Sequence, residues 1–192
     1  MASETATRLV DEARQLIMRG GYNGFSYADL AASLGIRKAS IHHHFPSKVD
    51  LVVAVVEEAR ALIRKQTQIL ADVEPAAGEQ LRAYTSYWER CIKDQSAPFC
   101  LAGVLAAEMP SLPLEVSVAV RGHFGDLSTW LERVLDLGVR QGSMHLTHSA
   151  AAEAEMFMAS VYGAMLAARA SDDPTKFGLI VEASLERIRS PV

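Results

Sequence analysis

The sequence predicts an all-α protein of about nine helices, with a small N-terminal unit and a larger C-terminal one. Apolar residues recur at three- and four-residue steps through nearly every segment, which is the period of a helix buried on one face. Glycine, proline and Ser/Asp capping signals punctuate the chain at helical lengths. No segment alternates strictly enough for a convincing strand, and no internal repeat or low-complexity tract interrupts the pattern.

The elements follow in order. Ala6, Leu9, Val10, Ala13, Leu16 and Ile17 share one face of a first helix. Gly20-Gly21 stops it, with Arg19 in the last turn set against the helix dipole. Ser26-x-x-Asp29 is a capping-box variant that starts a second helix, with Leu30 and Leu34 facing inward. Gly35 supplies a sharp turn. Residues 38–45 then form a third helix, Ile41 and Phe45 inward, ended by Pro46. Ser47-x-x-Asp50 caps a fourth helix over about residues 48–72, which Pro75 closes. A fifth covers 76–95 and gives way to a polar break from Asp94 to Pro98. A short sixth helix, about 100–108, ends before Pro110 and Pro113, and a long seventh runs 114–141 and stops at Gly142. The eighth covers 149–170. Asp173-Pro174, an N-cap followed by proline, opens a ninth that reaches about Arg189.

The 192 residues suffice for one substantial core or two small ones. No run of about 18 apolar residues is present, so no transmembrane helix is expected. Met1-Ala2-Ser3-Glu4 opens without the basic and apolar regions of a secretion signal. Cys91 and Cys100 make neither a disulfide framework nor a Cys-x-x-Cys motif, so a reducing cytoplasm is the expected compartment. The net charge of −4 argues at first against nucleic acid. Its distribution matters more: residues 1–50 hold six Lys/Arg against five Asp/Glu, and the remainder 13 against 18. Attraction to phosphate follows the local field. The modest local excess predicts salt-sensitive binding that is weak off target.

Residues 26–48 read as two short helices broken at Gly35, the geometry that lets a helix lie in the DNA major groove. Four motifs sharpen this: Gly21-Tyr22-x-Gly24-x-Ser26, Ala31-x-x-Leu34-Gly35-Ile36, Lys38-Ala39-Ser40-Ile41, and His44-Phe45-Pro46-Ser47-Lys48-x-x-Leu51. In combination they make residues 8–56 resemble the DNA-binding domain of the tetracycline-repressor (TetR) family. Beyond residue 60 the resemblance is one of architecture. It implies a helix-turn-helix DNA-binding domain over residues 1–50 and a C-terminal regulatory, ligand-binding and dimerisation domain over 51–192. One departure stands out: His42 occupies a position where the family usually has Tyr or Trp.

An eight-residue third helix is about 12 Å long, matched to a groove about 12 Å wide. Arg37, Lys38, Ala39 and Ser40 at its start are expected nearest the base edges. Arg37 is the candidate for bidentate guanine readout, Lys38 for the same or for a phosphate, and Ala39 for close approach or a thymine methyl. His42 and His43 are expected to meet the backbone, His42 more weakly or pH-dependently than an aromatic hydroxyl. The resemblance places phosphate contacts at Ser26, Tyr27 and Lys48, near helix starts. Helix capping is the ordinary role of Ser26, and a solvated surface that of Lys48.

Ala150, Ala151, Ala154, Ala159, Ser160, Gly163, Ala164 and Ala167 give the eighth helix a small-residue surface that admits another helix closely. Val181, Ala183, Ser184, Leu185 and Ile188 give the ninth an apolar side. Burial within one subunit would account for both faces. The resemblance implies instead a homodimer through helices 8 and 9, holding two recognition helices about 34–36 Å apart on a palindromic operator. It also implies an effector cavity at Tyr84, Trp88, Cys91, Phe99, Cys100, Glu108, His123, Phe124, Trp130 and Tyr162. These side chains are mostly apolar with His123 and Glu108 as polar anchors, which suits a small, largely apolar ligand. Core packing is their ordinary role. The expected function is thus a repressor released from DNA by such a ligand.

Two alternatives compete. Phe99-Cys100-Leu101-Ala102-Gly103-Val104-Leu105-Ala106-Ala107-Glu108 resembles a segment in a branch of the family that includes electrophile-responsive repressors, which makes Cys100 a candidate sensor thiol. Its apolar neighbours, with no Lys or Arg close in sequence, argue for an inert buried cysteine. The other alternative is a ligand-binding protein without specific DNA binding, against which Arg37, Lys38 and Lys48 stand. No Gly-rich phosphate loop, nucleophile elbow or His-Glu-x-x-His helix is present, so no enzyme and no cofactor are expected. Consecutive helical residues point about 100° apart, so His42-His43-His44 cannot converge on one ion. His145-x-x-His148 lacks a third ligand and reads as a surface pair, so no metal is expected.

Overall fold

The computed structural model describes residues 3–97 and 99–189; Pro98 of the expected polar break and Met1-Ala2 of the expected leaderless start lie outside them. Among the described residues the chain forms α1 (Glu4–Gly20), α2 (Tyr27–Leu34), α3 (Lys38–His44), α4 (Lys48–Val73), α5 (Ala77–Lys93), α6 (Leu101–Ala107), α7 (Leu114–Arg140), α8 (Ala150–Ala170) and α9 (Thr175–Ile188), with a 3₁₀ turn at Met109–Ser111. The only extended pairing among them is an isolated antiparallel bridge between Met144 and Arg189. The chain divides into two compact units whose boundary falls inside α4 and inside α7. No helix among the described residues is long and apolar enough to cross a membrane.

One unit comprises Met1–Leu62 and Cys100–Phe124. The Ser3 hydroxyl caps α1 by accepting the Ala6 N–H, and the helix buries Leu9, Val10, Ala13 and Ile17 along one face. Leu30 from α2, Ile41 from α3 and Leu51, Val52, Val55 and Val56 from α4 complete the core of these first four helices. Leu101 and Leu105 of α6 and Val116 and Val120 of α7 join the same core. The segment 100–124 is therefore packed with the N-terminal helices, although nearly forty residues of sequence separate it from the end of the first stretch. The third helix has seven residues rather than the eight expected, because Phe45 is extended at φ −133° and ψ 101°. The Cδ of Pro46 crowds the helical conformation out of the residue before it.

The other unit comprises Ile63–Phe99 and Gly125–Val192. Leu81, Trp88 and Ile92 of α5, Leu127, Leu131 and Leu135 of α7, Phe157 and Val161 of α8, and Phe177 and Val181 of α9 are buried in it. α8 and α9 pack together, and α5 packs on α9. The Glu153 carboxylate, fully buried, accepts the Arg187 guanidinium and the His148 N–H and so fastens α8 to α9. That donor pair holds its carboxyl below the usual carboxylate range, the Arg187 hydrogen bond being the larger cause. α5 is shorter than the expected 76–95, ending at Lys93 with Asp94 as cap and Gln95 left-handed at φ 61°. α9 begins one residue later than expected, at Thr175, whose N–H donates to the Asp173 carboxylate at 3.0 Å.

Candidate functional site

The turn between α2 and α3 is built by Gly35, which caps α2 in the left-handed conformation at φ 65° and ψ 32°. An L side chain there would lie in a region costly for any residue but glycine or asparagine. Ser26 starts α2 through a reciprocal capping box: its hydroxyl accepts the Ala28 and Asp29 N–H groups, while its own N–H donates to Asp29. The Ser26 bonds hold the Asp29 carboxyl below its ordinary range. Ser47 and Asp50 make the same arrangement at the start of α4.

This frame leaves one face of α3 bare. Ile41 is the single buried residue of the helix, and Arg37, Lys38, Ala39, Ser40, His42 and His43 are all exposed. Arg37 is the N-cap and supplies no side-chain cap bond, so its guanidinium is not consumed in holding the helix start. Four contiguous exposed residues with two cations at the N-terminal end of a helix, anchored by one apolar side chain behind, form a surface suited to base edges.

The expected phosphate contacts carry internal duties as well. The half-buried Tyr27 hydroxyl shares its proton between the carbonyls of Phe45 (3.0 Å) and Ser47 (2.5 Å), tying α2 to the α3–α4 turn. Burial chiefly, then the Asp50 and Tyr22 charges, pushes this phenol up to about 12. The Lys48 ammonium donates to the Phe25 carbonyl and lies over the rings of Tyr22 (4.6 Å) and Phe25 (4.2 Å). Burial lowers its pKa against the opposing pull of Glu108 and Asp29. His42 stacks edge-on to Tyr27 with centroids 4.9 Å apart, and its Nδ1 lies 3.0 Å from the Pro46 carbonyl. A carbonyl only accepts, so the ring donates from Nδ1 and presents Nε2 elsewhere.

The residues expected at the effector cavity fall into groups. In the first unit the Cys100 sulfur lies 3.8 Å from His123 Nε2, both side chains are buried, and the Phe124 ring stands 5.6 Å from that of His123. Glu108 accepts the Tyr22 N–H at 2.9 Å and lies against Gly21 in the α1–α2 turn. In the second unit Tyr84 and Trp130 meet edge to face at 5.4 Å, Trp88 and Cys91 are buried, and Tyr162 is half-buried. Phe99 lies beneath the Arg169 guanidinium at 5.7 Å. Trp88 and Trp130 bury indole N–H groups that find no acceptor among the described residues. Three arginines, Arg64, Arg133 and Arg140, line a groove in this unit and were absent from the sequence expectation. The seven-residue spacing of the last two, two turns along one helix face, was the available signal.

Residues 9–55 match the family described as bacterial regulatory proteins, tetR family, and residues 77–184 the family described as tetracyclin repressor-like, C-terminal domain. A transcriptional regulator of the TetR family from Agrobacterium tumefaciens superposes with a TM-score of 0.94 at 51% identity, covering 96% of this chain and 97% of that one. A TetR transcriptional regulator from Legionella pneumophila superposes at 0.87 with 28% identity, covering 97% and 98%. The HTH-type transcriptional regulator CymR of Pseudomonas putida is 32% identical over 75 residues, 38% of this chain. Likewise the HTH-type regulator UidR of Escherichia coli is 32% identical over 65 residues. These matches span 37% and 33% of the lengths of those two curated relatives.

Proposed function

This chain belongs to the tetR family of bacterial regulatory proteins, and from that premise we propose that it is a DNA-binding transcriptional repressor of the bacterial cytoplasm. It binds a palindromic operator as a homodimer and is released by a small, largely apolar ligand. Residues 1–50 form the reader, and residues 51–192 the regulatory, ligand-binding and dimerisation part. The observation that carries the reading is α3, with Arg37, Lys38, Ala39 and Ser40 exposed in a row and Ile41 alone buried behind them. Arg37 and Lys38 meet base edges, while Ser26, Tyr27, His42, His43 and Lys48 lie along the phosphates.

Dimerisation through α8 and α9 is supported by an uncovered small and apolar strip. Ala154 and Ala164 of the expected α8 surface, and Val181, Leu185 and Ile188 of the expected α9 side, are buried within the subunit, whereas Ala152, Met156, Ala159, Gly163 and Leu166 recur on the exposed side of α8 and Leu179 of α9 is 74% exposed. Such a face is suited to a second copy of itself about a two-fold axis. The ligand acts by favouring one of two states of the dimer, and a few kcal/mol of differential affinity is enough to empty the operator. Fluorescence anisotropy with intergenic fragments tests the core of the proposal. Tighter binding to one palindrome than to random DNA is expected; equal affinity for every fragment defeats it.

A second reading, a thiol-sensing repressor, is favoured by the pairing of Cys100 with His123, since an imidazole beside a thiol is the setting that promotes thiolate. Burial of both side chains opposes it. Timed alkylation of the native protein separates the two: Cys100 reacting faster than free cysteine supports the sensor, and slower reaction removes it.

A further inference from the structure

In the C-terminal unit, the second half of α4, the start of α5 and the second half of α7 line an open groove of about 580 Å³. That lies within the range of small-molecule sites, about 300–1,000 Å³. Its wall is cationic in a chain whose net charge is −4. Three guanidiniums, from Arg64, Arg133 and Arg140, face one carboxylate, Asp126, which Arg64 already engages at 3.3 Å.

Arg133 and Arg140 are exposed and make no ion pair among the described residues. A carboxylate is near enough in sequence. Asp136 stands three residues after Arg133 and four before Arg140, yet pairs with neither. The negative end of the α7 dipole accounts for Arg140 in its last turn. It does not account for Arg133, two turns earlier. Seven residues apart, the two side chains leave the same face about 10.5 Å apart along the axis. Val134 and Leu137 lie between them and Trp130 one turn before, forming an apolar strip in the same wall.

Guanidiniums left together in a cleft concentrate positive potential. Their planar forks match carboxylate and phosphate oxygens bidentately. We propose that this groove binds an amphipathic organic oxyanion, with its apolar body on Trp130, Val134 and Leu137 and its carboxylate or phosphate held by Arg133 and Arg140. Only Trp130 is shared with the effector positions expected from sequence. The binding stands by itself; its use as an effector signal rests on the regulator reading above.

Isothermal titration of the full-length protein with octanoate, octyl phosphate and octanamide tests the site. At least one anion binds, and the neutral amide, equal in chain length, binds about tenfold more weakly or worse. Whichever anion binds names the headgroup. The double variant R133Q/R140Q brings the anions down to the level of the amide, with unchanged helical circular dichroism. Should the double variant lose helicity, R133Q alone gives the same reading with a smaller loss. The proposal is overturned by equal affinity for anion and amide, by full anion affinity in the variants, or by no anion binding up to about 10 mM, roughly tenfold above a millimolar Kd. Inorganic phosphate binding as tightly as octyl phosphate overturns the amphipathic part. Anisotropy with operator DNA, run in parallel, separates the two claims. Loss of DNA binding defeats the regulator reading and leaves the calorimetry intact, whereas failed calorimetry with normal DNA binding defeats the groove alone.

Discussion

Replacing Gly21 by alanine reports on how segment 100–124 is tied to the reader. Gly21 ends α1 at φ 71° and ψ −168°, a region open essentially to glycine. An L residue held there costs about 1–3 kcal/mol. The methyl group adds a second effect, because an ideal Cβ falls inside the contact radius of Glu108 Oε1. The carboxylate is the far end of a flexible side chain, so it moves aside and gives up the Tyr22 N–H it accepts at 2.9 Å. A hydrogen bond to a charged group contributes about 1.5–3 kcal/mol when buried, and about 1 kcal/mol is a fair share for this half-exposed one. Gly21→Ala is therefore expected to destabilise by about 2–4 kcal/mol, and Glu108→Ala by about 1 kcal/mol. In the double variant the carboxylate is already gone, so alanine pays only the backbone strain. The double should cost less than the sum of the singles by about 1 kcal/mol. Urea unfolding followed by far-UV circular dichroism, at one fixed protein concentration, measures all four proteins. Additivity within about 0.5 kcal/mol would refute the idea that the glycine is required by the Glu108 bond.

Four further outcomes are expected. Arg187→Ala strands the Glu153 carboxylate and should cost about 2 kcal/mol at neutral pH, less than a fully buried pair because Arg187 is partly exposed. Since Glu153 titrates below its unfolded value, this stabilisation is complete above the unfolded carboxylate range and is lost as pH falls through the depressed folded value. The gap between variant and native protein should thus narrow in acid, and an equal gap in urea curves at neutral and acidic pH contradicts it. Gly35→Ala, in a left-handed cap with open space around it, should cost about 1–2 kcal/mol and Gly35→Asn less; equal stability of all three by thermal melting rejects the cap argument. Tyr27→Phe removes the hydroxyl shared by Phe45 and Ser47 and should cost about 1–2 kcal/mol, read by the same melts, with an unchanged midpoint counting against the tie. Arg37→Ala should weaken operator binding by about 1–3 kcal/mol and relax selectivity at one base position. Anisotropy against a set of singly substituted operators checks this, and an evenly distributed loss reassigns Arg37 to phosphate contact.

The all-α class, the order of the helices and the exposed face of α3 behind which Ile41 is buried were legible in the chain because their signals are short-range. Ser26 with Asp29, Ser47 with Asp50, Gly21, Gly35 and Gly142 each act within a few residues, and the three- and four-residue apolar steps place Leu9, Ile17, Leu30 and Ile41 inside without knowledge of any partner. Helix ends differ by a residue or two from what the local signals imply where a neighbour's sterics decide them, as at Phe45 before Pro46. Packing alone decided which distant groups meet. Glu108 reaches Tyr22 across 86 residues, Arg64 reaches Asp126 across 62 and Cys100 meets His123 across 23. Periodicity tells which face of a helix is turned inward, but not which other helix lies opposite. The anchoring of Glu108 on the α1–α2 turn and the gathering of Arg64, Arg133 and Arg140 around one groove therefore belong to the tertiary structure, where side chains far apart in sequence are held together by a shared core.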